Sequence, residues 1–190
     1  MLWVDRIGLA ILILTWGALL TKRSLLVRYV KFILPASAVA VFSTLFYYAF
    51  LQYKVWEGND FSKFFLPPYQ NLDYFTEYVG TRFFLPWILA LLVAFFIPNV
   101  AKFLHRRLGE RFFEAEEIPL MALGTFLVGY PGFLFYWILV LLVGVLLSTL
   151  YLLLAKGRAP LYHVWLPAAI FVIIMKSLFV PASLLNYFNF

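Results

Sequence analysis

The sequence contains no cysteine and only two histidines, His105 and His163. The absence of cysteine excludes a disulfide framework, a cysteine nucleophile and a thiolate-bound metal or cluster. Two histidines without cysteine also fail to supply the usual zinc ligand sets. We therefore expect neither a metal site nor a cofactor in this chain.

Charged residues are scarce as well: they make up 13% of the 190 residues, whereas 65% are hydrophobic. A soluble domain of this length needs a polar exterior, which this composition does not provide. Most of the apolar runs approach the roughly 20 residues that a helix needs to cross about 30 Å of hydrocarbon. The pattern predicts an all-α, single-domain, polytopic integral membrane protein with six transmembrane helices, at residues 2–20, 32–51, 83–100, 118–130, 133–155 and 162–185.

Basic residues are concentrated on every second connection between these runs. Because such loops stay in the cytoplasm, we expect both termini on the outer side of a prokaryotic cytoplasmic membrane. The formal charge of +6 is then a topology signal that also attracts anionic lipid headgroups, and no nucleic-acid partner is expected. The basic residues concerned are Lys22, Arg23, Arg28, Lys31, Lys102, Arg106, Arg107, Arg111, Lys156 and Arg158.

The first run is expected to be a retained helix rather than a signal peptide. Asp5 lies near its start, the run is long, and no small-residue cleavage pattern precedes Lys22. The fourth run, 118–130, rises only about 20 Å as a helix. We therefore expect it to be shielded by neighbouring helices or to cross a thinned region of bilayer.

The connection at residues 52–82 is the only sizeable one, and we call it the lid. It is predicted as an extracytoplasmic loop that contains Pro67-Pro68 and many aromatic residues. Aromatic rings with one apolar and one polar edge settle at the headgroup level, which favours an interfacial position. The alternative is a loop that binds a ligand or a partner.

One charged residue lies well inside an apolar run: Lys176, in the last predicted helix. An isolated ammonium at the bilayer centre costs about 2.5–3.5 kcal/mol, so Lys176 must either extend to the interface or find a partner. Asp5 is the only acid near an apolar run on the same predicted side. We therefore predict an intramembrane charge pair between Asp5 and Lys176, with a structural role favoured over substrate or partner binding.

A cluster of acids precedes the fourth run: Glu110, Glu114, Glu116 and Glu117. Acids at this position are typical of a solvated connection and stabilise the N-terminus of the next helix through its dipole. The alternative is a catalytic or cation-binding carboxylate pair, for which Glu116 and Glu117 are weak candidates. We favour the first interpretation, since hard cations usually need more oxygen ligands than two side chains supply.

The sequence from the third run onward has a distinctive layout. A basic stretch, His105-Arg106-Arg107-Leu108-Gly109-Glu110, is followed by the acids and by a short run with a Leu123-Gly124 step. The long run 133–155 and the turn Ala159-Pro160-Leu161-Tyr162 come next. This layout, over about half of the chain, resembles the type IV prepilin peptidase and preflagellin peptidase family of intramembrane aspartic proteases.

The resemblance implies the fold of that family and the places of its two catalytic aspartates. An aspartic dyad needs two carboxylates that share a proton. The second aspartate of the family falls at Glu116 or Glu117, without the two glycines of the Gly-x-Gly-Asp motif. The first falls at about Leu20-Thr21-Lys22-Arg23, where no carboxylate occurs. The resemblance therefore implies a relative of the family that lacks the dyad.

These observations favour a non-enzymatic membrane protein, either a structural or an interaction subunit, with a degenerate prepilin-peptidase-like fold. We expect it to assemble with a membrane-protein partner or with copies of itself. An active intramembrane peptidase is the first alternative and would use Glu116 or Glu117. A small-solute transporter, or its membrane substrate-binding subunit, is the second, although such proteins usually show polar residues or broken helices near the midplane.

Overall fold

The computed structural model describes residues 3–21, 23–108, 117–154 and 162–179, and these residues form helices, turns and no strand. Four helical stretches are long and apolar enough to cross a membrane: Trp3–Thr21, Tyr29–Glu57, Asp73–Phe103 and Gly132–Leu154. Two shorter apolar helices accompany them. The α-helices are α1 (Trp3–Thr21), α2 (Arg23–Glu57), α3 (Asp73–Val79), α4 (Leu85–Leu108), α5 (Glu117–Val128), α6 (Gly132–Leu154) and α7 (Tyr162–Phe179).

Helix α2 is much longer than the predicted span of 32–51. It begins at Arg23, among the basic residues expected to form a connection, and continues through Pro35 to Glu57. Lysine and arginine are good helix formers, so charge marks where a chain leaves hydrocarbon but does not end a helix. Some of the basic residues expected in a connection therefore lie within a helix.

The lid also differs from the loop predicted at 52–82, because much of it is helical. Helix α2 extends into it, and a 3₁₀ turn at Ser62–Phe65 and helix α3 follow. A π-helical turn at Gly80–Phe84 then joins α3 to α4, so that residues 73–103 form one continuous helical stretch. The lid therefore stands on the C-terminal end of α2 and the N-terminal end of α4.

The short helix α5 occupies the centre of the structure. It contacts α1, α2, α4, α6 and α7. Every one of its residues except Pro119 is buried, and Met121, Leu123 and Phe126 are fully inaccessible. The expectation that neighbouring helices shield this short run agrees with this arrangement, which makes α5 the core around which the other helices pack.

A tight turn connects α5 to α6. Gly129 has a φ of +69°, a left-handed conformation that favours glycine. A Cβ atom at this position would also lie 3.2 Å from Cη2 of the Trp87 ring on α4. The turn thus places the start of α6 beside the end of α5 and near the start of α4.

Close contacts show which helix ends share a side of the bundle. Gly8, near the start of α1, lies against Leu127, near the end of α5, and close to Ile173, near the end of α7. On α2, Phe46 stacks edge-on against Phe84, directly before α4, with 4.9 Å between ring centroids. We call this the lid side. Four exposed basic residues lie at the opposite ends of the helices, namely Lys31, Lys102, Arg106 and Arg107, and two lie on the lid side, namely Arg6 and Lys54.

Candidate functional site

An ion pair joins the first and last described helices. Lys176 Nζ lies 3.1 Å from Asp5 Oδ1 and donates a hydrogen bond to it. The lysine side chain is 15% exposed and the aspartate side chain 7% exposed, so both are largely withdrawn from the surface. Asp5 and Lys176 are the two residues expected from the sequence to be partners, and the structure places them in direct contact.

Local packing explains why the two side chains meet. Gly8 lies one helical turn after Asp5, and a Cβ atom there would be 3.2 Å from the Leu127 carbonyl oxygen and 3.9 Å from Ile173 Cδ1. Ile173 in turn lies one turn before Lys176. Because Gly8 has no side chain, α1 approaches α5 and α7 closely at this level. The charged pair closes this three-helix junction on the lid side.

The buried serine and threonine hydroxyls of the described residues bond to their own helices. Thr15 Oγ1 donates to the Ile11 carbonyl at 2.7 Å, and Thr125 Oγ1 donates to the Met121 carbonyl at 2.8 Å. Ser37 on α2 makes the same type of bond. Such bonds to the residue four positions earlier satisfy a hydroxyl within an apolar environment. Each of these hydroxyls therefore donates its hydrogen bond to a backbone carbonyl of its own helix.

A second polar feature, which was not predicted from the sequence, lies between α5 and α6. The Tyr136 side chain is fully buried, and its hydroxyl finds no hydrogen-bond partner among the described residues. It lies against Gly124: a Cβ atom at that position would be 2.5 Å from Tyr136 Oη. The Leu123-Gly124 step was noted in the sequence as part of a family layout, but nothing there pointed to a tyrosine as its neighbour.

The rings next to Tyr136 continue toward α7. Trp137 packs edge-on against Tyr136 with 5.9 Å between ring centroids and against Trp165 with 5.8 Å. Trp137 Nε1 is buried and has no hydrogen-bond partner in the described part of the chain. Two successive residues, Tyr136 and Trp137, thus each place a buried donor without a hydrogen-bond partner in this part of the described interior.

Of the two acids considered as weak catalytic candidates, only Glu117 lies among the described residues. Glu116 lies outside the described residues. Glu117 begins α5 and is 2% exposed, so it is a buried acid at the end of the core helix rather than part of a solvated connection. This burial differs from the solvated position expected from the sequence, whereas a place in the first turn of α5 is the one expected of an acid that stabilises a helix N-terminus. The burial arises because the first turn of α5 is already enclosed by the surrounding helices.

The histidines, the acids and Thr21 are the remaining residues that a metal site or a catalytic site could use. No group of three or more histidine or acidic side chains there is placed to hold a metal ion. His163 is exposed at the start of α7. Thr21, where the resembled family has an acid, is exposed, and its hydroxyl bonds to the Gly17 carbonyl at 2.9 Å.

Comparisons of this chain with protein-family models, with curated proteins and with solved structures give no match.

Proposed function

We propose that this chain is a non-enzymatic, multi-pass membrane protein that acts as a structural or interaction subunit. One geometric relationship carries the proposal: the two buried acids of the described interior lie at opposite ends of α5. Glu117 begins that helix, whereas Asp5 lies one turn beyond the Gly8 contact with Leu127. Glu117 and Leu127 are ten residues apart, which corresponds to about 15 Å along the helix. Two carboxylates that share a proton must lie much closer together than this.

The engagement of Asp5 gives the same proposal independent support. A catalytic aspartate alternates between ionised and protonated forms, which requires access to a proton and to substrate. Asp5 is instead 7% exposed and held by a lysine. Such a pair ties α1 to α7, and it is best suited to fixing the arrangement of two helices.

Six transmembrane helices with both termini outside the cytoplasm are part of the proposal. The alternating directions of the six apolar helices support it, since the starts of α1, α4 and α6 share the lid side with the ends of α2, α5 and α7. Of the exposed basic residues in the described ranges, four lie at the other ends (Lys31, Lys102, Arg106 and Arg107) and two on the lid side (Arg6 and Lys54), an excess that the positive-inside rule assigns to the cytoplasmic side. In this arrangement α5 and α7 complete the bundle, although they are shorter than the other four spans.

We further propose that the fold is a degenerate relative of the prepilin peptidases. In support, a short helix that begins with an acid is enclosed by longer helices, and Thr21 stands where the family has its other acid. An active peptidase is the competing proposal, and the burial of Glu117 at the start of the core helix is the observation that favours it.

The deciding experiment is a cleavage assay with the purified protein in lipid discs and a prepilin-like leader peptide as substrate. We expect no cleavage product by mass spectrometry. Cleavage by the unmodified protein, lost in the Glu116→Gln/Glu117→Gln variant, would establish the peptidase instead. In parallel, native mass spectrometry should find the extracted protein in an assembly heavier than one chain, and a strict monomer with no companion would contradict a subunit role.

A further inference from the structure

We propose that the lid is a membrane-binding element whose outward aromatic rings insert into the headgroup boundary of the outer leaflet. The occupant of this surface is the lipid of the same bilayer that holds the helices. The inference rests on the six-span arrangement proposed above, but not on the absence of catalysis. Membrane binding would be a function of the lid itself, separate from the packing of the helical bundle.

The lid has a small hydrophobic core of its own, which fixes its position on α2. Leu66, Phe75 and Val79 are buried together and pack against Tyr53 and Trp56 from the last turns of that helix. Trp56 lies within 5.3 Å of the Phe75 ring, centroid to centroid. The lid is therefore a folded platform rather than a free loop, and it holds its surface side chains in a set orientation.

Several large apolar side chains of this platform point away from its core. Phe61 is 83% exposed, which is the highest value among the exposed large hydrophobic residues of the described chain. Tyr69 is 60% and Phe64 50% exposed, and these two rings pack together with 5.0 Å between centroids. Rings held outward by a folded platform favour an apolar or interfacial environment over water.

The length of α2 places these rings at the membrane surface. The apolar stretch Tyr29–Glu57 has 29 residues, which as a helix rises about 43 Å. The hydrocarbon layer is about 30 Å thick and the bilayer with its headgroups about 40–45 Å. The end of α2 therefore lies among the outer headgroups, and a lid attached to Tyr53 and Trp56 occupies the depth at which tyrosine and tryptophan concentrate.

The charges of the lid are compatible with this position. Lys54 pairs with Glu57 at 2.7 Å, and Lys63 pairs with Asp60 at 2.9 Å. The lid carries three basic and four acidic residues, so its net charge is close to zero. It offers no strong single-sign field of the kind that would steer it to a charged protein partner. A zwitterionic lipid surface suits both its rings and its charge.

The exposed side of α2 continues the same surface into the hydrocarbon. Phe46, Tyr47 and Phe50 are each more than half exposed on the two turns that lead up to the lid. The outward rings of the lid thus extend an aromatic surface that, in the proposed arrangement, already faces lipid. This continuity favours the membrane over a soluble protein as the occupant.

The absence of cysteine allows a direct test. Single variants Phe61→Cys and Tyr69→Cys, carrying a nitroxide label, are reconstituted at one copy per phosphatidylcholine disc. Power saturation then compares the accessibility of each label to oxygen, which enriches in lipid, with that to a water-soluble nickel complex. Leu92→Cys, on the exposed surface of α4, is the lipid reference, and Asn71→Cys, an exposed polar position of the lid, is the aqueous reference.

We expect the oxygen-to-nickel ratio at Phe61 and Tyr69 to exceed that at Asn71 several-fold and to approach that at Leu92. An aqueous ratio at both ring positions, with a lipid ratio at Leu92, would overturn the proposal for the lid and leave the spanning arrangement intact. Aqueous ratios at all positions would instead contradict membrane insertion of α4. Shielding that appears only in discs with two copies would overturn lipid as the occupant in favour of a second copy of the chain.

Discussion

A Cβ atom built on Gly124 would lie 2.5 Å from the hydroxyl oxygen of Tyr136 and 2.8 Å from its Cζ atom. The tyrosine ring therefore fills the space that a side chain on α5 would otherwise take, and α5 and α6 approach each other more closely than two larger residues allow. Glycine in such a position permits tight packing of membrane helices. The cost of this contact is a buried hydroxyl without a hydrogen bond in the described structure.

Replacing this glycine should destabilise the fold. Gly124→Ala forces the Tyr136 ring or the α5 backbone to move, and overpacking of this kind costs about 1–3 kcal/mol in the free energy of unfolding. Thermal unfolding in detergent, followed by circular dichroism, measures the change. Gly17→Ala is the matched control on α1, because nothing lies within 4 Å of a Cβ atom there. Equal losses in the two variants would contradict the packing role of Gly124.

Removing the hydroxyl of Tyr136 should instead increase the stability of the fold. Tyr136→Phe keeps the buried ring but deletes an oxygen that has no partner in the described structure, so we expect a gain of about 1 kcal/mol. The double variant Gly124→Ala/Tyr136→Phe should recover part of the stability lost in Gly124→Ala. A marked loss of stability in Tyr136→Phe alone would show that the hydroxyl is bonded in the folded protein, for example to an ordered water.

The Asp5–Lys176 pair predicts a thermodynamic coupling. Lys176→Met or Asp5→Asn leaves one buried charge without its partner, which costs about 3 kcal/mol. The double variant should recover a large part of that loss, because no uncompensated charge remains. Unfolding in mixed micelles, measured for the four proteins of the cycle, gives the coupling energy. Additive losses would mean that each residue is important for a reason other than the pair.

The exposed pair between Lys54 and Glu57 provides the comparison for this cycle. Both of its side chains are more than half exposed, and solvent screens their attraction. We expect Lys54→Met to change the stability of the helical bundle very little. A loss as large as that of Lys176→Met would indicate that burial is not what makes the Asp5–Lys176 contact important.

A substitution in the core of the lid should destabilise the lid without unfolding the helical bundle. Phe75→Ala removes the largest buried side chain of the lid core, and truncation of a buried phenylalanine costs about 3–5 kcal/mol where it packs. Because the main core around α5 is a separate cluster, we expect faster amide hydrogen exchange in residues 62–79 and unchanged exchange in α5. Faster exchange in both regions would show that the lid and the bundle unfold as one unit.

The proposed orientation predicts opposite labelling on the two sides of the membrane. Asn71→Cys should react with a membrane-impermeant maleimide in intact spheroplasts, because the lid lies outside. Arg107→Cys, exposed near the end of α4, should react only after permeabilisation. The reverse labelling pattern would show that the topology is opposite to the proposed one. Reaction of both in intact spheroplasts would contradict an odd number of crossings between these two positions.

The helices were largely predictable because apolar runs of this length are typical of membrane-spanning helices. The contact of Asp5 with Lys176 was also predictable: a cation within a run must find a counter-ion, and only one acid was available nearby. By contrast, helix α2 continues through basic residues and Pro35, since hydropathy reports the surroundings of a helix and not its ends. The Gly124–Tyr136 contact depends on the rotation of two helices about their axes, which the sequence does not specify.

The enclosure of α5 has a consequence for biogenesis. A helix of 12 residues rises about 18 Å, so on its own it would leave the unpaired backbone groups of its ends within hydrocarbon. Such a segment cannot be released stably into lipid before its neighbours are present. In the proposed six-span arrangement, α1, α2 and α4 precede α5 in the chain and α6 and α7 follow it, so we expect α5 to become fully enclosed only after α6 and α7 have emerged.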